Sequence, residues 1–326
     1  MITIGIDVSK DKIDCAWLRD SDTDKVKTKV LKNNGEGFKS LIEWAEKSTN
    51  HPINEIYFVM EATGIYHEAL AYALHGAGAV VSVVNPAYIH NYAKSQGSRI
   101  KTDKKDSITI AHYGATHKCA PWQPEPSEIR QLKALLSRYE AIEKDIQRES
   151  NRLEKADITR ASVEVIDSIK TMIKALSKEK ERIKKLMDDH IDQNPQLKND
   201  RALLESIPAV GSVLSHYMLA LIYSRHFATA KQCSAFIGLN PVMHESGTSV
   251  RSRSRLSKVG DAKIRAKLYM AAVVAIQHNP DIKQQYDRLL KNGKSKMAAL
   301  GAAMRKLVQI CFGVLKHQTP YQPQVN

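Results

Sequence analysis

Acidic residues are in short supply in this chain. Against 49 lysines and arginines, its 326 residues set only 35 aspartates and glutamates, a formal net charge of +14. The excess runs along most of the sequence rather than sitting in one tail, which points to a polyanionic partner, nucleic acid first. Cysteine is scarce too. Cys15, Cys119, Cys233 and Cys311 lie far apart with no C-x-x-C spacing, so neither a disulfide framework nor a zinc site is expected. No apolar run approaches the roughly 18 residues that span a bilayer. The opening "MITIGIDVSKDK" is not a secretion signal, and a cytoplasmic location with no membrane partner is expected.

What the chain does contain is enough apolar material, 43% of its residues, for more than one core. The first third alternates strand and helix patterns. "ITIGID" reads as a buried strand, and "KIDCAWLR" and "KVKTKVLK" as two more joined through the polar turn "DSDTDK". An amphipathic helix "GFKSLIEWAEKS" follows, then a strand "EIYFVMEA", a helix "YHEALAYALHGAG" and a strand "AVVSVVN" halted at Asn85 and Pro86. Three meandering strands followed by alternating helices and strands predict a mixed sheet with helices on its faces.

The proline-rich "PWQPEP" then breaks the chain. Beyond it Leu132, Leu135, Tyr139, Ile142, Ile146 and Leu153 repeat at spacings of about three and four, as do Ile166, Ile169, Ile173, Leu176, Ile183 and Met187. Such apolar seams are those of a coiled coil, pairing within the chain or between chains. The final third is helical in pattern, interrupted at "SIPAVGS", at "GLNPVM" and at "HESGTSVRSRSRLSK". The expected division is 1–120 as the α/β domain, 121–198 as linker and coiled coil, and 199–326 as an all-α C-terminal domain.

Four acids stand where chemistry would want them. Asp7 ends the first strand, Glu61 ends "YFVME", and "KTDKKD" sets Asp103 and Asp106 three apart on one face of a helix start. Acids converging at a sheet edge hold magnesium or manganese, hard ions that prefer oxygen ligands and substrate phosphates. Two such ions about 4 Å apart clamp the attacking and leaving oxygens of phosphoryl transfer. Taken singly, each acid also reads as solvated, or as a helix cap in the case of Asp103. Asp11 and Asp14 are nearby substitutes in a polar, lysine-flanked context. Lys94, Arg99, Lys101, Lys104 and Lys105 surround the helical acids, so a phosphate backbone has reason to approach there.

These segments resemble a known family. "IGIDVSKDKID", "MEATGIY", "VVNPAYIHNYAKSQGSRIKTDKKD", "LLESIPAVGSVLS", "FIGLNPVMHESGTSVRSRSRLSKVGDAKIRAKLYMAA" and "AAMRKLVQICFGVLK" are similar, in that order, to the DEDD transposases of insertion-sequence family one-ten, relatives of Piv-type DNA invertases. The resemblance covers nearly the whole chain. It implies an RNase H-like, RuvC-type domain, a coiled-coil segment and a C-terminal domain with a serine essential to strand cleavage. By position, the tetrad is Asp7, Glu61, Asp103 and Asp106, and the serine is Ser246. It further implies recombination through a covalent phosphoserine, homo-oligomers (dimer or tetramer) with composite sites acting on donor and target DNA, and an element-encoded guide RNA.

Three departures stand out: Ser107 where alanine is usual, Thr248 where serine is frequent, and Ala209 in place of a glycine. Ala209 weakens the reading of "SIPAVGS" as a phosphate-gripping turn, which relies on glycine to bring backbone amides close.

In "HESGTSVRSRSRLSK", Arg251, Arg253 and Arg255 would neutralise charge on a phosphate attacked by Ser246, Gly247 would allow close backbone approach, and His244 is a weaker base candidate. Without the resemblance the stretch reads as a basic phosphate-gripping loop. Lys258, Lys263, Arg265 and Lys267 would extend the basic face, with Ile264, Leu268, Ala271 and Ala272 as core. Other classes compete. A junction-resolving nuclease needs the acids but not Ser246, and a non-enzymatic nucleic-acid binder needs neither. A sugar-kinase or actin-like ATPase fails for want of a second glycine-rich loop.

Overall fold

The computed structural model describes residues 2–20, 25–97, 102–225, 227–242, 245–246, 250–251 and 255–324, with backbone alone at 20, 245–246 and 250–251. The chain divides into two compact units, Met1–Pro124 and Glu125–Asn326.

The first unit is built on five strands: β1 (Ile2–Val8), β2 (Lys12–Asp20), β3 (Lys25–Lys32), β4 (Ile56–Glu61) and β5 (Val80–Val84), in spatial order β3-β2-β1-β4-β5. The meander β1 to β3 is antiparallel, while β4 and β5 run parallel to β1. That order and those directions define an RNase H-like sheet. Helices α1 (Gly35–Thr49), α2 (Glu68–Gly76), α3 (Pro86–Ser95) and α4 (Asp103–Thr116) cover it. Asn34 caps α1 by accepting from Gly37 N at 2.9 Å. Asn85, which ends the β5 pattern, caps α3 in the same way and is followed by Pro86 at the first helical position.

The two-residue period of β1 sorts its side chains by face. Ile4, Ile6 and Val8 are buried with Phe38, Leu41 and Ala45 of α1 and Leu70, Ala71 and Leu74 of α2. Each of the large ones contributes roughly 1.5–3 kcal/mol. Thr3, Gly5 and Asp7 point the other way, toward α4. Small residues line the contact from both sides. A Cβ on Gly5 would lie 2.2 Å from Ala111 N and 2.3 Å from Ser107 O, and one on Gly114 would lie 2.4 Å from Val59 Cγ2 and 3.1 Å from Thr3 Cγ2. Ser107, the residue that departs from alanine, is buried here and turns its hydroxyl back to Lys104 O at 2.9 Å. Backbone thus meets backbone.

The second unit comprises α5 (Ser127–Ile158), α6 (Val163–Asp192), α7 (Pro195–Glu205), α8 (Ser212–Tyr223), α9 (Ala230–Phe236), α10 (Ala262–His278), α11 (Pro280–Lys291) and α12 (Lys296–His317). The two apolar seams pack on each other within the chain, α5 against α6 as a hairpin. Ile129, Leu132, Leu136, Tyr139 and Ile142 of α5 and Ile183, Met187 and Ile191 of α6 share one core with α7 to α12. The expected middle segment 121–198 is therefore divided: residues through Pro124 go with the sheet, and both long helices belong to the helical unit.

One sequence expectation needs correction. Among the described residues α12 is, by length and composition, long and apolar enough to cross a membrane. In this fold it is a core helix, with Leu300, Met304, Leu307, Val308, Cys311 and Leu315 buried. Ala209, in the turn between α7 and α8, takes the left-handed backbone at φ 80° that a glycine adopts without cost.

Among its described residues the stretch between α9 and α10, read from sequence as irregular, contains four two-residue strands: β6 (Pro241–Val242), β7 (Glu245–Ser246), β8 (Val250–Arg251) and β9 (Arg255–Leu256). β6 pairs with β9 and β7 with β8, both antiparallel, with Ser246 opposite Val250.

Gly5→Ala is predicted to destabilise the first unit by about 3 kcal/mol, because two backbones block the added methyl. Chemical denaturation of the two proteins side by side measures it, and an unchanged midpoint would show that α4 can move away freely.

Candidate active site

The contact at Gly5 determines what lies one turn further along. Thr3 meets Gly114, and Gly5 meets Ala111 and Ser107. Asp7, next on the same face of β1, therefore meets the first turn of α4, where Asp103 and Asp106 stand. Carboxylate oxygens of Asp7, Asp103 and Asp106 all lie within 4.8 Å of one another. Thr102, not Asp103, is the helix cap: its Oγ1 accepts from Lys105 N at 3.3 Å. The helix N-terminus favours negative charge at both acids.

Glu61 ends β4 directly beside the end of β1, where Ile6 pairs with Met60. It stands outside the close trio, yet its charge acts on Asp7. Burial, then Asp106, Asp103, Glu61 and Asp14, push the Asp7 carboxyl up from 3.8 to about 6. Asp14 faces Asp7 directly across the β1–β2 ladder and is 6% exposed. Lys12 Nζ lies 2.7 Å from Asp103 Oδ2 and 3.1 Å from Asp14 Oδ2.

Sequence reasoning missed Lys12 and undervalued Asp14. The available signal was register. An antiparallel turn at residues 9–11 places position 14 opposite position 7, and a direct cross-strand pair shares a face.

An all-oxygen donor set, with one acid already burdened by its neighbours' charge, fits a hard divalent cation.

The expected basic residues have different fates. Lys94 and Lys104 are exposed and Lys105 half-buried, all in the first unit. Arg99, Lys101, His244, Gly247, Thr248, Ser249 and Arg253, and the side chains of Ser246 and Arg251, lie outside the described residues. Arg255 and Lys258 are exposed, Lys258 with its backbone at φ 55°. Lys263, Arg265 and Lys267, expected to continue a nucleic-acid face, each have an internal partner. Lys263 pairs with Glu140 and Lys267 Nζ with Glu143 Oε2 at 2.7 Å. Arg265 Nη1 donates to Ile237 O at 3.0 Å and Gly260 O at 2.9 Å. Those cations tie α10 to α5 and to the turns flanking the paired strands. Ile264, Leu268, Ala271 and Ala272 are buried, as expected.

An RNase H-like sheet with acids gathered on one edge, in a chain this basic, is the frame of an enzyme that acts on nucleic-acid strands. Comparison with known proteins makes the assignment definite. Residues 4–156 match a transposase family model of the IS110 type, and residues 201–287 match the model "Transposase IS116/IS110/IS902 family". The chain is 32% identical over 325 residues to the pilin gene-inverting protein of Moraxella bovis, covering 99% of this chain and 98% of that one. The corresponding Moraxella lacunata protein is 31% identical over the same span. Solved RuvC from Thermus thermophilus, in complex with a Holliday junction substrate, covers 37% of this chain and 99% of that one, at 12% identity and a TM-score of 0.28. This chain belongs to the IS110 family of transposases, enzymes that act on DNA strands.

The raised Asp7 makes a prediction about stability. Its protonated form is favoured by the fold, so the associated stability is fully present below about pH 3.8 and lost as pH rises through about 6. In metal-free protein, Asp7→Asn should raise the melting temperature at pH 7 and remove that part of the pH dependence. A melting temperature at pH 7 equal to or below that of wild type would show that Asp7 is not held against repulsion.

Proposed function

We propose that the protein is a site-specific DNA recombinase that cuts and rejoins strands through a covalent phosphoserine on Ser246, with magnesium or manganese held by Asp7, Glu61, Asp103 and Asp106. The convergence of Asp7, Asp103 and Asp106 within 4.8 Å is the observation that carries the reading, because clustered carboxylates repel unless a cation joins them. The ion supplies charge neutralisation at the reacting phosphate. The acids hold it, and Lys94, Arg99, Lys101, Lys104 and Lys105 hold the DNA backbone near them.

In the proposed first step Ser246 Oγ attacks phosphorus, forming a serine–phosphate ester as the bond to the leaving deoxyribose oxygen breaks. The serine proton passes to a base, and the leaving oxygen ends as a hydroxyl. Attack by a hydroxyl of another strand reverses the exchange and releases Ser246. Phosphodiester bond energy is retained throughout, so rejoining needs no nucleotide triphosphate. Arg251, Arg253, Arg255 and Lys258 neutralise the phosphate during attack. The working form is a cytoplasmic homo-oligomer, dimer or tetramer, with composite sites, directed to donor and target DNA by an element-encoded RNA.

Replacing any of Asp7, Glu61, Asp103 and Asp106 by alanine should abolish cleavage while DNA still binds. The decisive variant is Ser246→Ala. If the serine is the nucleophile, this change eliminates cutting with DNA binding retained, whereas Thr248→Val and Ser249→Ala still cut. Wild-type protein incubated with labelled DNA and magnesium, then denatured and digested, should yield a peptide joined to DNA at Ser246. Efficient cutting by Ser246→Ala with no adduct would instead make the protein a metal-dependent, junction-type nuclease using water.

Alanine at Arg251, Arg253 and Arg255 together should weaken DNA binding and reduce the slope of log affinity against log salt by about 3, roughly one for each lost phosphate contact. Binding titrations at several salt concentrations measure it. An unchanged slope would remove these arginines from the DNA interface.

A further inference from the structure

We propose that Lys12 is a tethered counter-cation that limits how many divalent ions the acid cluster accepts. It holds the edge formed by Asp14 and Asp103, so an ion ligated there must displace its ammonium. The inference rests on the metal reading above and concerns a residue of the chain itself.

Three observations carry it. The first is placement. Lys12 Nζ reaches Asp103 Oδ2 at 2.7 Å and Asp14 Oδ2 at 3.1 Å, bridging an acid of α4 to one of β2. An ammonium has three donors and no acceptor, so it can serve two carboxylates at once and compete for the oxygens a metal would use.

The second is the rigidity of its origin. Ser9 N and Ser9 Oγ both donate to Lys12 O at 2.9 Å. Asn33 holds the same turn from β3's side, donating from Nδ2 to Ser9 O at 2.8 Å and from its backbone N to Asp11 O at 3.0 Å. The stem of Lys12 therefore starts from a fixed point beside the acids.

The third is charge balance. Asp7, Asp14, Glu61, Asp103 and Asp106 bring five carboxyl groups to one edge, and Asp14 is almost fully buried opposite Asp7. A buried carboxylate left without a cation would be costly. Lys12 shares one positive charge between Asp14 and Asp103 and leaves the Asp7–Asp106 side as the place for a first ion. A second ion at Asp103 releases the ammonium, which needs a new anion. A DNA phosphate supplies one, and this couples the second ion to substrate.

The test is a manganese titration of the full-length protein without DNA, counting bound Mn2+ by electron paramagnetic resonance for wild type, Lys12→Met, Lys12→Arg and Asp106→Asn. Wild type should bind one ion well and a second only weakly. Lys12→Met should bind the second roughly ten-fold more tightly, since one competing charge is gone. Lys12→Arg, which keeps the charge, should behave as wild type. Asp106→Asn should weaken the first ion. If Lys12→Met binds the second ion no better than wild type while Asp106→Asn has weakened the first, the role given to Lys12 is wrong and the metal site stands. If Asp106→Asn binds as wild type does, the metal reading itself fails, and the Lys12 inference with it.

Discussion

The close approach of α4 to β1 at Gly5 is the contact on which the candidate site depends. No side chain at position 5 fits between the strand and the backbone of Ser107 and Ala111. Because strand and helix both have fixed rises, a contact set there sets the next one. Asp7 is two residues beyond Gly5, about 7 Å along the strand. Asp103 is four residues before Ser107, about 6 Å along the helix. The similar steps bring the acids to the same level without any direct attraction between them. Three like-charged groups are assembled by packing that occurs elsewhere.

That arrangement opposes electrostatics, and the opposition is visible in Asp7, whose carboxyl is driven up to about 6 by burial and by the acids around it. The apolar face of the sheet supplies the compensating stability. Ile4, Ile6, Phe58, Met60, Leu41, Leu70 and Leu74 are fully buried there, so the edge can be kept in an unfavourable electrostatic state. The cap at Thr102 and the N-terminal end of α4 ease part of the repulsion, and Lys12 neutralises another part. Local conflict inside a well-packed frame is what a functional site requires.

The acids were legible in the sequence because each lies at or near the end of an element. Asp7 and Glu61 follow apolar strand patterns, and the spacing of Asp103 and Asp106 is a helix spacing. The sheet's mixed character was legible from the meander followed by alternating helices and strands. Lys12 and Asp14 were obscured because their meaning depends on cross-strand register rather than on any run of neighbours. Lys263, Arg265 and Lys267 look from sequence like one basic face, yet Glu140 and Glu143, over a hundred residues away, take two of them and backbone carbonyls take the third. Periodicity cannot show such pairings. The seams of α5 and α6 gave the helices but left their partner open. The short link through residues 159–162 resolves it by returning the chain on itself.

The two-residue strands around Ser246 give this stretch an order that its sequence does not announce. As a sequence, "HESGTSVRSRSRLSK" has no period and looks like open basic loop. In the fold, its backbone is paired at two levels, Glu245 and Ser246 with Arg251 and Val250, and outside them Pro241 and Val242 with Leu256 and Arg255. The base of this excursion is fastened by the Arg265 guanidinium on Ile237 O and Gly260 O, and by Gly238 and Gly260, where an added Cβ would lie 2.3 Å from Val259 O and 2.1 Å from Phe236 O. Paired strands above a fastened base restrict where the backbone of Ser246 lies, and a rigid supporting element is what the proposed nucleophile would need. The Arg265 guanidinium, bonded to both Ile237 O and Gly260 O, joins the two turns from which the paired strands around Ser246 rise.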